Sequence, residues 1–253
     1  MPLHPDPEAP TETLLHADDD TPLARLCLRD DGSVAADVRP LPGVAPGDVA
    51  GQARRDLAGL RLETAHGGLG AALVAGGLTV LRAATEMRHD LTDLPAPPAL
   101  PVGWSLAAAG WDSDLAEACA AAYGPDHPEG PWRADDTREI RAMFEAADPV
   151  PPLSGASARV VGPDGRSAGH VLCAGPVPWT DDTCGWILNL AVAPYAQHNG
   201  LGRALLTHAL RGTRAAGLPT LGLQVADRNP AQRMYDDAGF RPVTRVLAVR
   251  LPG

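Results

Sequence analysis

The sequence predicts a two-domain α/β protein whose larger, C-terminal part is built on a mixed sheet. Residues 186–192 are an almost unbroken apolar run, as expected of a strand covered on both faces at the centre of a sheet. In residues 202–216, Leu205, Leu206, Ala209 and Leu210 recur at helical spacing before the stop Gly217-Leu218-Pro219, and residues 220–225 form a second apolar strand. Strand, crossover helix and parallel strand is the implied core. The third observation is the stretch Leu94-Pro95-Ala96-Pro97-Pro98-Ala99-Leu100-Pro101, which cannot form a helix or a central strand. It is read as a linker, residues 94–101, between a small domain (14–93) and a larger one (102–253).

Taken in order, residues 1–13 are rich in Pro and acidic side chains and read as a disordered tail. Residues 24–28 and 33–38 alternate around Asp30-Asp31-Gly32, a hairpin signal. A helix is expected over 47–59, a strand over 60–64, a helix over 68–75 stopped by Gly76-Gly77, and a strand over 78–88. In the larger domain, residues 104–108 read as a strand. A helix over 112–122 has Asp112 or Ser113 as its N-cap, and a second helix spans 136–147. Residues 156–161 and 168–174 flank Gly162-Pro163-Asp164-Gly165, a strong hairpin turn. A helix over 230–238 closed by Gly239, then a strand over 240–251, complete the chain.

An internal repeat is also visible. Laying Gly77-Leu78 on Gly239-Phe240 aligns the strand at 60–64 with that at 220–225 and the helix at 68–75 with that at 230–238, without a gap. Leu73 then matches Tyr235 and Gly67 matches Asn229. The small domain would be a partial copy that lost its polar groups; the competing reading is coincidence between two stretches rich in Ala and Gly.

Composition narrows the function classes. The 253 residues carry a formal net charge of −10, and all 21 basic residues are Arg. Nucleic-acid and anionic-membrane partners are disfavoured, because binding to phosphate needs a basic surface; cationic substrates are mildly favoured. The four cysteines show no CxxC spacing and no companion His pair, so no metal site is expected. Cys173 and Cys184 lie in apolar strands and read as buried, unreactive thiols. Without a signal peptide or spanning segment, a cytoplasmic monomer or homodimer is expected.

Chemistry concentrates after the central strand. Gly200-Leu201-Gly202 opens a helix, where Gly permits close backbone approach and unpaired N–H groups with the positive dipole end favour an anion such as pyrophosphate. It is neither a Walker A loop, which needs a Lys, nor a dinucleotide fingerprint.

The wider frame, from Leu190-Ala191-Val192-Ala193-Pro194 through Gln197-His198-Asn199-Gly200-Leu201-Gly202-Arg203, closely resembles the acyl-CoA-binding motif of the GNAT acetyltransferase superfamily. Thirty residues on, Asn229 through Tyr235 to Gly239-Phe240 resembles the superfamily's second motif. The resemblance covers residues 100–251 and implies the GNAT acyl-CoA N-acyltransferase fold, with a smaller degenerate GNAT-like domain before it. It further implies acetyl-CoA as cofactor and acetyl transfer to an amine. Leu190, Ala191 and Val192 would hold the pantetheine through their backbone. Gln197, His198, Asn199, Gly200, Leu201 and Gly202, with Arg203, would hold the pyrophosphate, and Asn229 would reach the arm. Tyr235 would protonate the departing thiolate and the Val192 amide would bind the oxyanion.

Two positions depart from that pattern. Asn229 lies six residues before Tyr235 where the superfamily has seven, which puts Arg228 in the usual Asn place. Trp186 stands where some members carry a Glu base. Asp181, Asp182, Asp126, Glu129 or a water chain are the alternatives for taking up the proton. The turn-rich segment from Tyr123 to Trp132 reads either as a lid over the acceptor pocket or as an ordinary surface loop, and Asp126, Glu129, Trp132 and Asp182 are the candidate contacts to a small-molecule amine. A protein acceptor and a non-catalytic acyl-CoA binder are the competing functions. His198 and His208 read as a loop and a helix-surface residue.

Overall fold

The computed structural model describes residues 3–9, 11–29, 32–146, 150–180 and 182–253. The chain forms two compact units, Met1–Thr85 with Thr244–Gly253, and Glu86–Val243. Residues 94–101 have no regular secondary structure, but the division between units falls before them, within a strand.

The first unit contains β1 (Leu3–Pro5), β2 (Thr13–His16), β3 (Pro22–Arg29), β4 (Val34–Pro40), α1 (Pro46–Asp56), β5 (Arg61–Thr64) and α2 (Gly67–Ala75), then the start of β6 (Val80–His89). Residues expected in a tail thus form β1, which pairs antiparallel with β2 at Leu3↔Leu15. The following turn is fixed by Asp6: its buried carboxylate accepts the Glu8 amide at 2.8 Å and pairs with Arg25 at 2.6 Å. A charge so paired stays ionised when buried, which anchors this end of the chain. Strands β3 and β4 form the expected antiparallel pair, Arg29↔Val34; Asp30 and Asp31 of the expected turn lie outside the described residues. Through the crossover helix α1, β5 returns parallel to β4, at Val34↔Arg61 and Ala35↔Leu62. The core of this unit includes Leu26, Leu57, Leu62, Leu69 and Leu73, together with Val249 and Leu251 from the chain's end.

The second unit holds β7 (Ser105–Ala108), α3 (Ser113–Ala122), α4 (Ala134–Ala146), β8 (Ala158–Val161), β9 (Ser167–Ala174), β10 (Cys184–Val192), α5 (Leu201–Ala215), β11 (Thr220–Ala226) and α6 (Ala231–Asp237). A last strand, β12 (Arg241–Arg250), begins in this unit and ends in the first. The sheet runs β11-β10-β9-β8-β7. β10 and β11 are parallel, as the βαβ pattern requires, and β7 to β10 form an antiparallel meander. Asp112 caps α3 as expected, accepting the Leu115 amide at 2.7 Å. On one face α5 packs Leu205, Leu206, Ala209 and Leu210 against Ile187, Leu221 and Leu223. On another, Leu115 and Cys119 of α3 pack against Ala191. Gly169 lets β9 approach β10, for a Cβ there would lie 2.4 Å from the Ala191 carbonyl oxygen.

Among the described residues no helix is long and apolar enough to cross a membrane, and no cluster of three His, Cys, Asp or Glu could hold a metal ion. Cys119, Cys173 and Cys184 are buried free thiols. Burial pushes the Cys119 thiol up to about 12 and raises Cys173 further, so neither supplies a thiolate nucleophile.

Candidate active site

The site starts where β10 and β11 part. Their parallel pairing covers Cys184↔Thr220 to Trp186↔Gly222, while β10 continues to Val192 and β11 to Ala226. The other edge of β10 stays paired with β9 to Val192↔Gly169, with an irregularity between Ile187 and Asn189. Ala193 donates its amide to Ala168 at 2.8 Å. Strand alternation therefore turns the Leu190 and Val192 amides to the opposite edge, where β11 has left β10.

The loop after β10 makes a short 3₁₀ turn over Pro194–Ala196 and enters α5 through two left-handed residues, His198 (φ 61°) and Gly200 (φ 77°). A Cβ on Gly200 would meet nothing within 4 Å, so glycine is needed there for its conformation alone. No side chain caps this helix. The amides of Leu201, Gly202 and Arg203 therefore lie in a first turn whose donors have no partner within the helix, which suits an anionic group brought close to backbone. Three side chains here have partners. Gln197 donates to the Val192 carbonyl at 2.9 Å, Asn199 donates to Ala196 and Gln197 carbonyls at 3.3 and 3.1 Å, and Arg203 lies 3.5 Å from Asp237. Gln197 and Asn199 thereby brace the loop.

Tyr235, on α6, is 7% exposed, with its ring edge-on to Phe240 at 5.8 Å. Burial, and then the Glu129 carboxylate, hold its phenol above the ordinary range, so it carries its proton throughout the physiological range. Glu129 comes from the loop between α3 and α4. Its Oε1 accepts the Ala226 amide at 2.6 Å and the Asn229 side-chain amide at 3.1 Å. Asn229 in turn accepts the Ala231 amide at 3.0 Å, fixing the start of α6. Asn229 is thus tied to Glu129 and α6, a tie its resemblance to the superfamily's Asn did not disclose. Arg228 (φ 68°), Asn229, Gln232 and Arg233 line a concavity of about 390 Å³.

A partly buried polar chain at β10 went unread in the sequence. Asn189 donates to the Tyr123 hydroxyl at 2.9 Å, and its Oδ1 lies 2.7 Å from His170 Nε2. The Tyr123 hydroxyl makes a longer contact of 3.5 Å to the Leu190 carbonyl. Because Asn189 Oδ1 can only accept, His170 carries its proton on Nε2. Burial pushes His170 down to about 4. Around this chain stand Trp111, 6.2 Å from His170, and Trp132, 5.4 Å from Tyr123, the two indoles stacked at 6.4 Å. The available signal was a His and an Asn inside otherwise apolar strands.

Of the expected acceptor contacts, Glu129 and Trp132 therefore lie together with Tyr123, and Glu129 touches the start of α6. Asp126 is exposed on its loop, and no described bond ties it to this group. Asp182 accepts from Thr220 at 2.7 Å ahead of β10. Ten residues of extended chain, roughly 30 Å, separate it from Val192, so strand direction places it at the other end of β10 from Val192. Asp181 lies outside the described residues. At Trp186 the ring carries the Arg88 guanidinium 4.8 Å above its centre.

Comparison with known proteins gives the chain's family. The Acetyltransferase (GNAT) family model matches residues 117–240. A mycothiol acetyltransferase of Actinosynnema mirum is 31% identical over 232 residues, covering 83% of this chain and 72% of that protein. The chain belongs to the GNAT acetyltransferase family. A mycothiol acetyltransferase of Streptomyces scabiei is 34% identical over 215 residues, 78% of this chain and 64% of the relative, so the chain spans less than two thirds of that protein's length. The GNAT fold is seen again in a GCN5-related N-acetyltransferase from Sphaerobacter thermophilus. Its TM-score is 0.66 at 19% identity, over 96% of this chain and 80% of that one.

Proposed function

We propose that this GNAT protein transfers an acetyl group from acetyl-CoA to a primary amine of a small molecule by direct attack. The observation that carries the reading is the pairing of an uncapped α5 N-terminus, entered through left-handed Gly200, with the open β10 edge that presents the Leu190 and Val192 amides. A pyrophosphate suits the first, and an amide-bearing pantetheine arm suits the second. The backbone from His198 to Arg203 would hold the phosphates and the edge of Leu190, Ala191 and Val192 the arm, while Gln197 and Asn199 keep the loop in shape. When bound, acetyl-CoA supplies an activated acyl group and a good leaving thiol. The chain's own residues position the amine, bind the oxyanion through the Val192 amide, and donate a proton from Tyr235. A phenol held protonated by burial is suited to that donation.

Trp111, Tyr123 and Trp132, whose rings pack on one another, would wall the acceptor, and an aromatic wall of that size suits a small molecule. Mycothiol acetyltransferases among the relatives make a small-molecule acceptor the first to try. We also read the first unit as a partial copy of the GNAT core, since antiparallel pair, helix, parallel strand and helix follow in the same order in both.

CoA is expected to raise the melting temperature, and acetyl-CoA with an amine panel to release thiol. Tyr235→Phe should retain the CoA shift and lose about 10²-fold or more in kcat. Absence of any CoA shift in the unmodified chain overturns the reading.

A further inference from the structure

Within the acetyl-transfer reading, on which this rests, we propose that Glu129 takes the proton released by the acceptor amine and works with Tyr235 as a single proton couple.

Glu129 reaches the start of α6 from the loop between α3 and α4. It binds the amide of Ala226, the last residue of β11, and the side chain of Asn229. Those contacts fix it where β11 has parted from β10, between the acceptor-side aromatic residues and the start of α6. Tyr235 stands on the same helix. Aromatic side chains in helices lean toward the helix N-terminus, so the Tyr235 phenol is directed at the end of α6 that Asn229 and Glu129 occupy. From Ala231 to Tyr235 the helix rises about 6 Å, within reach of a tyrosine side chain. Both Tyr235 and Tyr123 feel the Glu129 charge, as does His127 on the same loop. The position at which some superfamily members hold a Glu base is here Trp186, with a guanidinium over its ring, so a carboxylate is absent from β10 and supplied from the α3–α4 loop.

The proton inventory closes without an outside acid or base. The amine nitrogen bonds to the thioester carbonyl carbon and yields one proton to the Glu129 carboxylate. As the carbon–sulfur bond breaks, Tyr235 gives its phenolic proton to sulfur. Glu129 then returns its proton to the Tyr235 phenolate, and both side chains regain their starting states.

Glu129→Gln is the discriminating variant, because the amide oxygen can still accept from Ala226 and Asn229 while the proton-accepting carboxylate is lost. With acetyl-CoA and the amine giving fastest thiol release, kcat should fall about 10²-fold or more, with the CoA-induced melting shift unchanged. Glu129→Gln combined with Tyr235→Phe should be no slower than the worse single variant by more than about threefold, since groups acting as a unit are non-additive. Amide hydrogen exchange at Ala226 should accelerate in Glu129→Ala and stay slow in Glu129→Gln. A Glu129→Gln enzyme within threefold of the unmodified rate, or fully multiplicative losses in the double variant, overturns the assignment and leaves the acyl-CoA reading standing. An unmodified chain that neither responds to CoA nor releases thiol overturns both.

Discussion

At the scale of single residues, the buried histidine under the central strand has the clearest physical consequence. His170 is 1% exposed and its Nδ1 has no partner among the described residues. Charging it would place a cation in a dry site, which is why its pKa falls to about 4 from 6.5. Between those values the unfolded chain binds a proton that the folded chain refuses, so stability rises with pH across that window and this contribution vanishes below about 4. The full amplitude is about 3 kcal/mol. His170→Phe should be less stable at neutral pH, because Asn189 Oδ1 loses its partner, yet chemical unfolding at a series of pH values should show a shallower slope between pH 6.5 and 4. An unchanged slope would move the proton uptake to His89, His127 or His208, each also lowered by burial.

At the scale of elements, the signals that match the structure are local ones, although composition alone misses β1 in residues expected to be a tail. Apolar continuity marks β10, helical spacing with a terminal Gly marks α5, and Gly162-Pro163-Asp164-Gly165 makes the β8–β9 turn. Each depends on neighbours within a few residues. The direction of the Gln197 side chain does not: its bond runs back to Val192, and a motif cannot tell a phosphate contact from a loop brace. The Tyr123–Asn189–His170 chain was hidden for the same reason, since it joins the residue after α3 to β10 and β9 across 66 and 19 residues. Helix C-termini show the limit of the repeat as well. Leu78 bonds to Leu73 as Phe240 bonds to Tyr235, at 3.3 and 3.0 Å, but Leu218 bonds to Thr213 in the same way. That closing motif is common to many helices, so the shared order of strands is the better argument for a copy. The cradle itself makes a separable prediction. Gly200→Ala keeps the surrounding space open but places a Cβ at φ 77°, costing about 1 kcal/mol of stability. Relaxation toward negative φ would turn the α5 amides, so CoA affinity should fall by at least tenfold, measured as the loss of the CoA melting shift, against a small change in the unliganded melting temperature.

At the scale of the whole molecule, the chain's last ten residues belong to its first unit. β12 pairs with β5 at Leu247↔Thr64 and Val249↔Leu62, and Val249 and Leu251 are 0% and 1% exposed in the first unit's core. No local signal announces a partner more than 180 residues away. A linker rich in Pro looks like a boundary because its own backbone cannot join a sheet, and composition says nothing about which strand completes which core. The consequence is testable by dissection. A fragment of residues 1–93, the small domain as composition delimits it, lacks Leu247, Val249 and Leu251. At about 1.5–3 kcal/mol for each such buried side chain, their loss rivals the entire stability of a small domain. This fragment should show no cooperative unfolding transition by circular dichroism. Joining residues 244–253 to its C-terminus through a flexible linker should restore the transition, while the same linker carrying Val249→Asp and Leu251→Asp should not. A cooperative transition in the bare fragment would mean that the first unit closes without β12.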